Sequence, residues 1–193
     1  MAQLLRDALT HRNLLQAWQR VQANDGMPGV DGETVAAYAQ RLGAALRQLQ
    51  QQVLGGQYRP AALKRVWLPR PGKAPRPLGV PTVHDRVLHT ALTQVLTPLL
   101  EAEFEDCSFA YRSGRSVRQA VDRIALLQRE GYRWVVEADI EQFFDHIPHA
   151  RLLRLLASVV RDEALVTLVG NCLCAPVQDG DAPPQPVQRG VPQ

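Results

Sequence analysis

The residues best suited to chemistry fall into three clusters. In the first, an apolar run, Tyr132-Arg133-Trp134-Val135-Val136-Glu137-Ala138, delivers Asp139 and is followed by Ile140-Glu141-Gln142-Phe143-Phe144-Asp145. A carboxylate at the end of a core strand stands at a sheet edge. It suits Mg²⁺, which takes one or two protein oxygens and fills its other positions with water and substrate phosphates. Phe144, on the next turn, would form an aromatic floor beside that metal. The plainer alternative is an Asp that caps a turn and two phenylalanines in the core.

The second cluster is basic. Between Arg59 and His84 there are six basic residues (Arg59, Lys64, Arg65, Arg70, Lys73, Arg76) and no acidic one. Residues 63–69 alternate like a strand, 70–76 form a Gly/Pro turn and 77–80 return, so the spacing predicts a basic β-hairpin. Such arms can fold over a polyphosphate, with Lys73 and Arg76 placing charge where a leaving pyrophosphate develops it. The alternative is a solvated hairpin whose edges are kept from pairing by charge, although a surface coat would normally mix signs.

The third cluster, Cys107-Ser108-Phe109-Ala110-Tyr111-Arg112-Ser113-Gly114-Arg115-Ser116, interleaves aromatics with arginine ahead of a helix start. It can hold a nucleic-acid backbone and stack on bases, or its aromatics can pack on the core. Cys172-Leu173-Cys174 lacks a second pair and reads as buried thiols rather than a metal site. His146 and His149, flanking Pro148, read as turn and cap residues.

These clusters must be positioned by a chain of 193 residues, enough for one domain or slightly more. Apolar residues are 46% and charged residues 21%, the balance of a soluble globular protein. No apolar run reaches a membrane span, and the first residues do not form a secretory signal. Three cysteines make no disulfide framework, so a cytoplasmic location is expected. Of 22 basic residues only Lys64 and Lys73 are lysines, and the other 20 are arginines, whose planar fork pairs with phosphate through two bonds. A compositional bias of the source genome would give the same excess. The acid-free stretch contrasts with the acidic knot at 101–106, so charge is segregated along the chain.

Helical periodicity covers residues 3–23 and 33–53, the second stopping at Gly55-Gly56. Thr82-Val83-His84-Asp85 has the form of a capping box opening a long apolar helix, and Ser116 caps another that stops at Gly131. Residues 132–139 are expected to be a core strand. Helices are expected at 148–158 and 162–172, and an irregular hairpin from Ala175 on. The class is α+β with helices dominating.

Taken in order, these blocks resemble the fingers and first half of the palm of a bacterial reverse transcriptase of the group II intron type. The resemblance runs from about Leu15 onward. It is carried by Ala17-Trp18, Gly29-Val30-Asp31-Gly32, Tyr58-Arg59-Pro60, Arg76-Pro77-Leu78-Gly79-Val80-Pro81-Thr82 with Asp85-Arg86, Ser108 to Ser116, Asp139 to Ile147, and Gly190-Val191-Pro192-Gln193. The Phe109-Ala110-Tyr111 form and Ile147-Pro148-His149 look most like the CRISPR-associated branch. The resemblance implies a right-hand polymerase: a helical fingers extension over 1–57, fingers with a basic hairpin over 58–131, and a partial palm with a short antiparallel sheet over 132–193. It assigns Asp139 to catalytic Mg²⁺ (or Mn²⁺), with the Ile140 backbone as a further ligand. Lys73 and Arg76 would hold the triphosphate of a dNTP, Phe144 would exclude a 2′-hydroxyl, and Gln193 would contact the incoming nucleotide. Arg65, Arg70, Arg112 and Arg115 would hold an RNA template and its DNA or RNA primer. Intron RNA or CRISPR adaptation proteins would be further partners.

One departure matters. The family's second metal-binding block, a Tyr/Phe-Ala-Asp-Asp hairpin, has no counterpart here, and the acids after Asp145 are Asp162, Glu163, Asp179 and Asp181. Two-metal chemistry needs more carboxylates than this. The expected activity is therefore RNA-directed DNA synthesis by a complete protein, with the 193 residues alone inactive. The rivals are a non-catalytic, maturase-like RNA-binding module and a non-functional remnant.

Overall fold

The computed structural model describes residues 3–191. They form α1 (Gln3–Ala8), α2 (His11–Asn24), α3 (Val35–Gln40), α4 (Leu42–Leu54), β1 (Leu63–Arg70), β2 (Lys73–Val80), α5 (Val83–Glu101), α6 (Val117–Arg129), α7 (Phe143–His146), α8 (His149–Val160), α9 (Glu163–Leu173) and β3 (Val177–Gln178). The α+β, helix-rich class is as expected. Two compact units share the chain: residues up to Leu96 together with those from Gln142 on, and residues Thr97–Glu141.

The first unit holds the core. Leu9, Leu14, Leu46, Leu49, Val87, Leu88 and Leu165 are fully buried, and Trp18 stacks on buried Tyr38 with ring centroids 5.3 Å apart. The periodic segment expected over 3–23 is two helices, because Thr10 caps the second: its hydroxyl accepts from the Asn13 amide at 3.3 Å. The segment over 33–53 likewise breaks at Arg41, after Thr34 has capped α3. Periodicity survived both breaks because each pair of helices buries one apolar stripe in one core.

The sheet has the order β2-β1-β3. Strands β1 and β2 are the expected hairpin, antiparallel, with Arg65 opposite Gly79 and Trp67 opposite Pro77. Strand β3 joins β1 in parallel, and Val177 forms an antiparallel bridge with Gln185.

The sequence blocks of the N-terminal half meet at the start of α5. The capping box forms, the Asp85 amide donating to the Thr82 hydroxyl at 3.1 Å. The buried Asp85 carboxylate also accepts from the Tyr58 hydroxyl (2.6 Å), the Thr82 hydroxyl (2.8 Å) and the Ala61 amide (3.2 Å). Burial and the neighbouring Asp85 charge push the Tyr58 phenol far above its ordinary range. Arg86 donates to the carbonyls of Pro81 and Met27, which ties the glycine-rich loop to the end of β2. Gly29 lies so close that a Cβ there would stand 2.7 Å from the Thr82 backbone.

On the same helix, burial lowers the pKa of both His84 and His89, and the His89 Nε2 is buried without a hydrogen-bond partner among the described residues. Burial thus disfavours the charged form of both imidazoles in the native state, whereas in the unfolded chain they titrate near pH 6.5. Between the depressed native pKa and the unfolded value, the unfolded state binds more protons. The stabilisation is complete above about pH 6.5 and is lost as pH falls toward the native pKa. We expect melting temperatures to fall between pH 7.5 and 5.5, and His89→Leu to flatten that slope. An equal slope in the variant would remove His89 from the account.

The second unit buries no apolar side chain. Ser116 caps α6 by accepting from the Gln119 amide, and Gly131, at φ +100°, ends it, both as expected. The expected core strand over 132–139 is corrected: this stretch has no regular structure and is exposed, with Trp134 95%, Val135 81% and Val136 92% accessible. A strand requires a ladder, and residues 132–139 join none among the described residues; the Tyr132 amide instead donates to the Leu127 carbonyl at the end of α6.

Candidate nucleotide groove

The last part of the chain runs back along α7. The Val191 amide donates to the Phe144 carbonyl and the Gly190 amide to the Ile147 carbonyl, each at 2.8 Å. Only glycine fits at 190: its φ is +85°, and a Cβ would stand 2.8 Å from the Asp145 carbonyl oxygen. His149 Nε2 lies 2.6 Å from the Gly190 carbonyl; because a carbonyl only accepts, this nitrogen carries the proton. His149 thus anchors the segment, a larger role than a turn residue. His146 has the expected local role, its Nδ1 lying 2.9 Å from the Gln142 carbonyl.

This arrangement closes one side of a groove of about 470 Å³, with the hairpin opposite. Arg65, Arg76, Asp145 and Gly190 are among its lining residues, so three separate sequence blocks meet in one place. Three arginines, Arg65, Arg76 and Arg189, with one carboxylate, Asp145, suit a ligand that carries both phosphate and hydrogen-bonding groups. Asp145 joins the groove without being among the site residues expected from the sequence. Its signal was the spacing Phe143-Phe144-Asp145 at the opening of a short helix.

The other predicted residues are placed as follows. Lys73 and Arg70 pair at the hairpin tip, where Arg70 Nε donates to the Ala74 carbonyl at 3.1 Å; neither lines the groove. Phe144 lies on α7, edge-on to Phe143 at 5.5 Å. Gln193 lies outside the described residues. Cys172 is half-buried, its thiol pushed up to about 12 by burial and by the Asp85 charge. Cys174, expected to be buried, is exposed because it follows the last turn of α9.

Asp139 and Ile140 belong to the second unit. The Asp139 carboxylate is exposed, and its Oδ1 accepts from the Ile140 amide at 3.0 Å. It fits the share that Mg²⁺ takes from a single side chain. A whole two-ion centre does not fit, because no group of three or more His, Cys, Asp or Glu is assembled among the described residues.

Arg112, expected to hold nucleic acid, is engaged within the second unit as a clamp. Its side chain is 5% exposed, pairs with Glu101 at 2.7 Å and donates to the carbonyls of Glu105 and Ser108. Its guanidinium thus meets a carboxylate and two backbone carbonyls at once, which fixes the loop around it. Arg115 pairs with Asp106 at 3.1 Å and lies over the Phe109 ring.

A family model described as reverse transcriptase (RNA-dependent DNA polymerase) matches residues 68–193. Protein YkfC of Escherichia coli (strain K12) is 32% identical over 153 residues, covering 77% of this chain and 40% of its own. Group II intron-encoded protein LtrA of Lactococcus lactis subsp. cremoris is 30% identical over 164 residues, 82% of this chain and 26% of its own. The chain thus spans well under half the length of either relative. A solved partial Cas6-RT-Cas1--Cas2 complex superposes with a TM-score of 0.60 at 26% identity, over 96% of this chain and 30% of the other. Among the described residues no helix is long and apolar enough to cross a membrane.

Proposed function

Because this chain belongs to the reverse transcriptase family, we propose that it supplies the fingers and first half of the palm of an RNA-directed DNA polymerase. That enzyme would add dNTPs to a DNA or RNA primer on an RNA template. The observation that carries this reading is the groove, where the return strand of the basic hairpin, the Phe143–Asp145 turn and the Gly190–Val191 segment converge. Residues 1–57 and 58–131 would serve as fingers and 132–193 as partial palm.

In this reading Arg76 holds the nucleotide's phosphates from the groove wall, and Lys73 adds charge from the hairpin tip. Phe144, whose carbonyl takes the Val191 amide, floors the sugar and excludes a 2′-hydroxyl. Gln193, two residues beyond Val191 in sequence, would contact the incoming nucleotide. Asp139 offers one carboxylate oxygen to a divalent cation, Mg²⁺ or Mn²⁺, whose chemistry when bound is Lewis-acid stabilisation of phosphoryl transfer. The names of the relatives suggest intron RNA or CRISPR adaptation proteins as partners.

A second reading, an RNA-binding maturase-like module, is favoured by the absence of an assembled carboxylate cluster among the described residues. Primer extension on an RNA template with dNTPs and Mg²⁺, in a form of the protein carrying the family's second acidic block, separates the two. Extension supports the polymerase, and RNA binding without extension supports the module.

The 193 residues alone should bind an RNA–DNA hybrid without extending it. Lys64, Arg65, Arg70, Lys73 and Arg76 occupy the two hairpin strands. With about four to six phosphates neutralised, log affinity should fall against log salt with a slope of roughly −3 to −5. Arg70→Ala with Lys73→Ala should make that slope shallower by about two. A flat salt response in the parent chain would mean that the hairpin is only a solvated surface.

A further inference from the structure

We propose that Trp67 is a stacking site for a nucleobase of single-stranded RNA at the edge of the groove. The inference rests on the nucleic-acid reading above and adds to it a contact with a base, where the hairpin arginines contact backbone. Trp67 lies on β1 with 51% of its surface exposed, on a hairpin that carries no acidic residue. A tryptophan held half in water by a strand forgoes the burial that would normally stabilise it.

The ring is nonetheless held in place. Its Nε1 donates to the Asp179 carboxylate at 3.2 Å, which fixes the indole edge from the loop after β3. The Arg65 guanidinium lies 5.6 Å from the ring centroid. Arg65 also lines the groove, so the indole flanks it.

The chemistry of these neighbours selects the ligand. A phosphate would be repelled by Asp179 at the indole edge, whereas a neutral base meets a π-face that is already polarised by a cation. Every base has a π-face, so the site favours bases over backbone without reading sequence. Arg65 over the ring and Asp179 at its edge would steer the phosphates toward the arginine and leave the base over the ring.

The test uses the 193-residue chain and two labelled oligomers with equal phosphate counts, oligo(rA) and its abasic equivalent. Wild type should bind oligo(rA) about tenfold more tightly than the abasic strand, a loss on the scale of one base–aromatic stack. Trp67→Ala should erase that difference with the salt slope unchanged, and Trp67→Phe should retain most of it. Asp179→Ala, which removes the acceptor that holds the indole edge, should reduce it in part. Equal affinity of wild type for the two oligomers, or full discrimination in Trp67→Ala, overturns the stacking site while leaving the nucleic-acid reading intact. Failure of wild type to bind either oligomer overturns both.

Discussion

Asp139→Asn should cut primer extension by on the order of 10³-fold, the scale lost when a charge that acts in the transition state is removed. The substitution keeps the shape of the side chain and an oxygen able to accept from the Ile140 amide. What it removes is the negative charge that a hard cation requires of an oxygen ligand. RNA affinity should stay within about twofold, because binding rests on cations elsewhere on the chain and the loss falls on rate rather than on affinity. Single-turnover extension, in a form of the protein that extends primers, together with a hybrid titration, measures the two separately. Normal extension by the variant would end the assignment of Asp139.

The second large effect is on stability. Asp85→Ala should lower the melting temperature by about 6–12 °C, corresponding to about 3 kcal/mol in a domain of this size. The carboxylate accepts from Tyr58, Thr82 and the Ala61 amide. Its removal strands donors in a place where water cannot replace it. Tyr58→Phe removes only one of those bonds and should cost about 1 kcal/mol. Because the two residues touch, the double variant should lose less than the sum of the single losses. Strict additivity, or an Asp85→Ala melt unchanged within about 2 °C, would show that the network contributes little. The melts can be read with no nucleic acid present, so they test the fold independently of any function.

Asp85 also marks the limit of a linear reading. Tyr58-Arg59-Pro60, Thr82 and Asp85-Arg86 were legible as blocks of a family pattern, but nothing in their spacing showed that the Tyr58 hydroxyl donates to the Asp85 carboxylate. Arg112 makes the same point from the opposite side. As one residue in an arginine- and aromatic-rich loop it read as a phosphate contact. Glu101 and two carbonyls then claimed its guanidinium.

The sequence by itself determined what depends on neighbours along the chain. The hairpin is local because its turn residues and alternation are adjacent. The Thr82–Asp85 box and the Ser116 cap are local because a cap joins residues three apart. The ordered blocks determined the family. Only the tertiary structure decided which distant groups meet: Arg65 and Arg76 with Asp145 and Gly190 around one groove, β3 parallel to β1, and Asp179 on the Trp67 indole. It also decided that residues 132–139, although apolar enough for a strand, join no ladder among the described residues. The physical reason is the same in each case: a cap is satisfied within its own turn, whereas a ladder, a buried charge or a groove exists only when a second, remote segment supplies the other half.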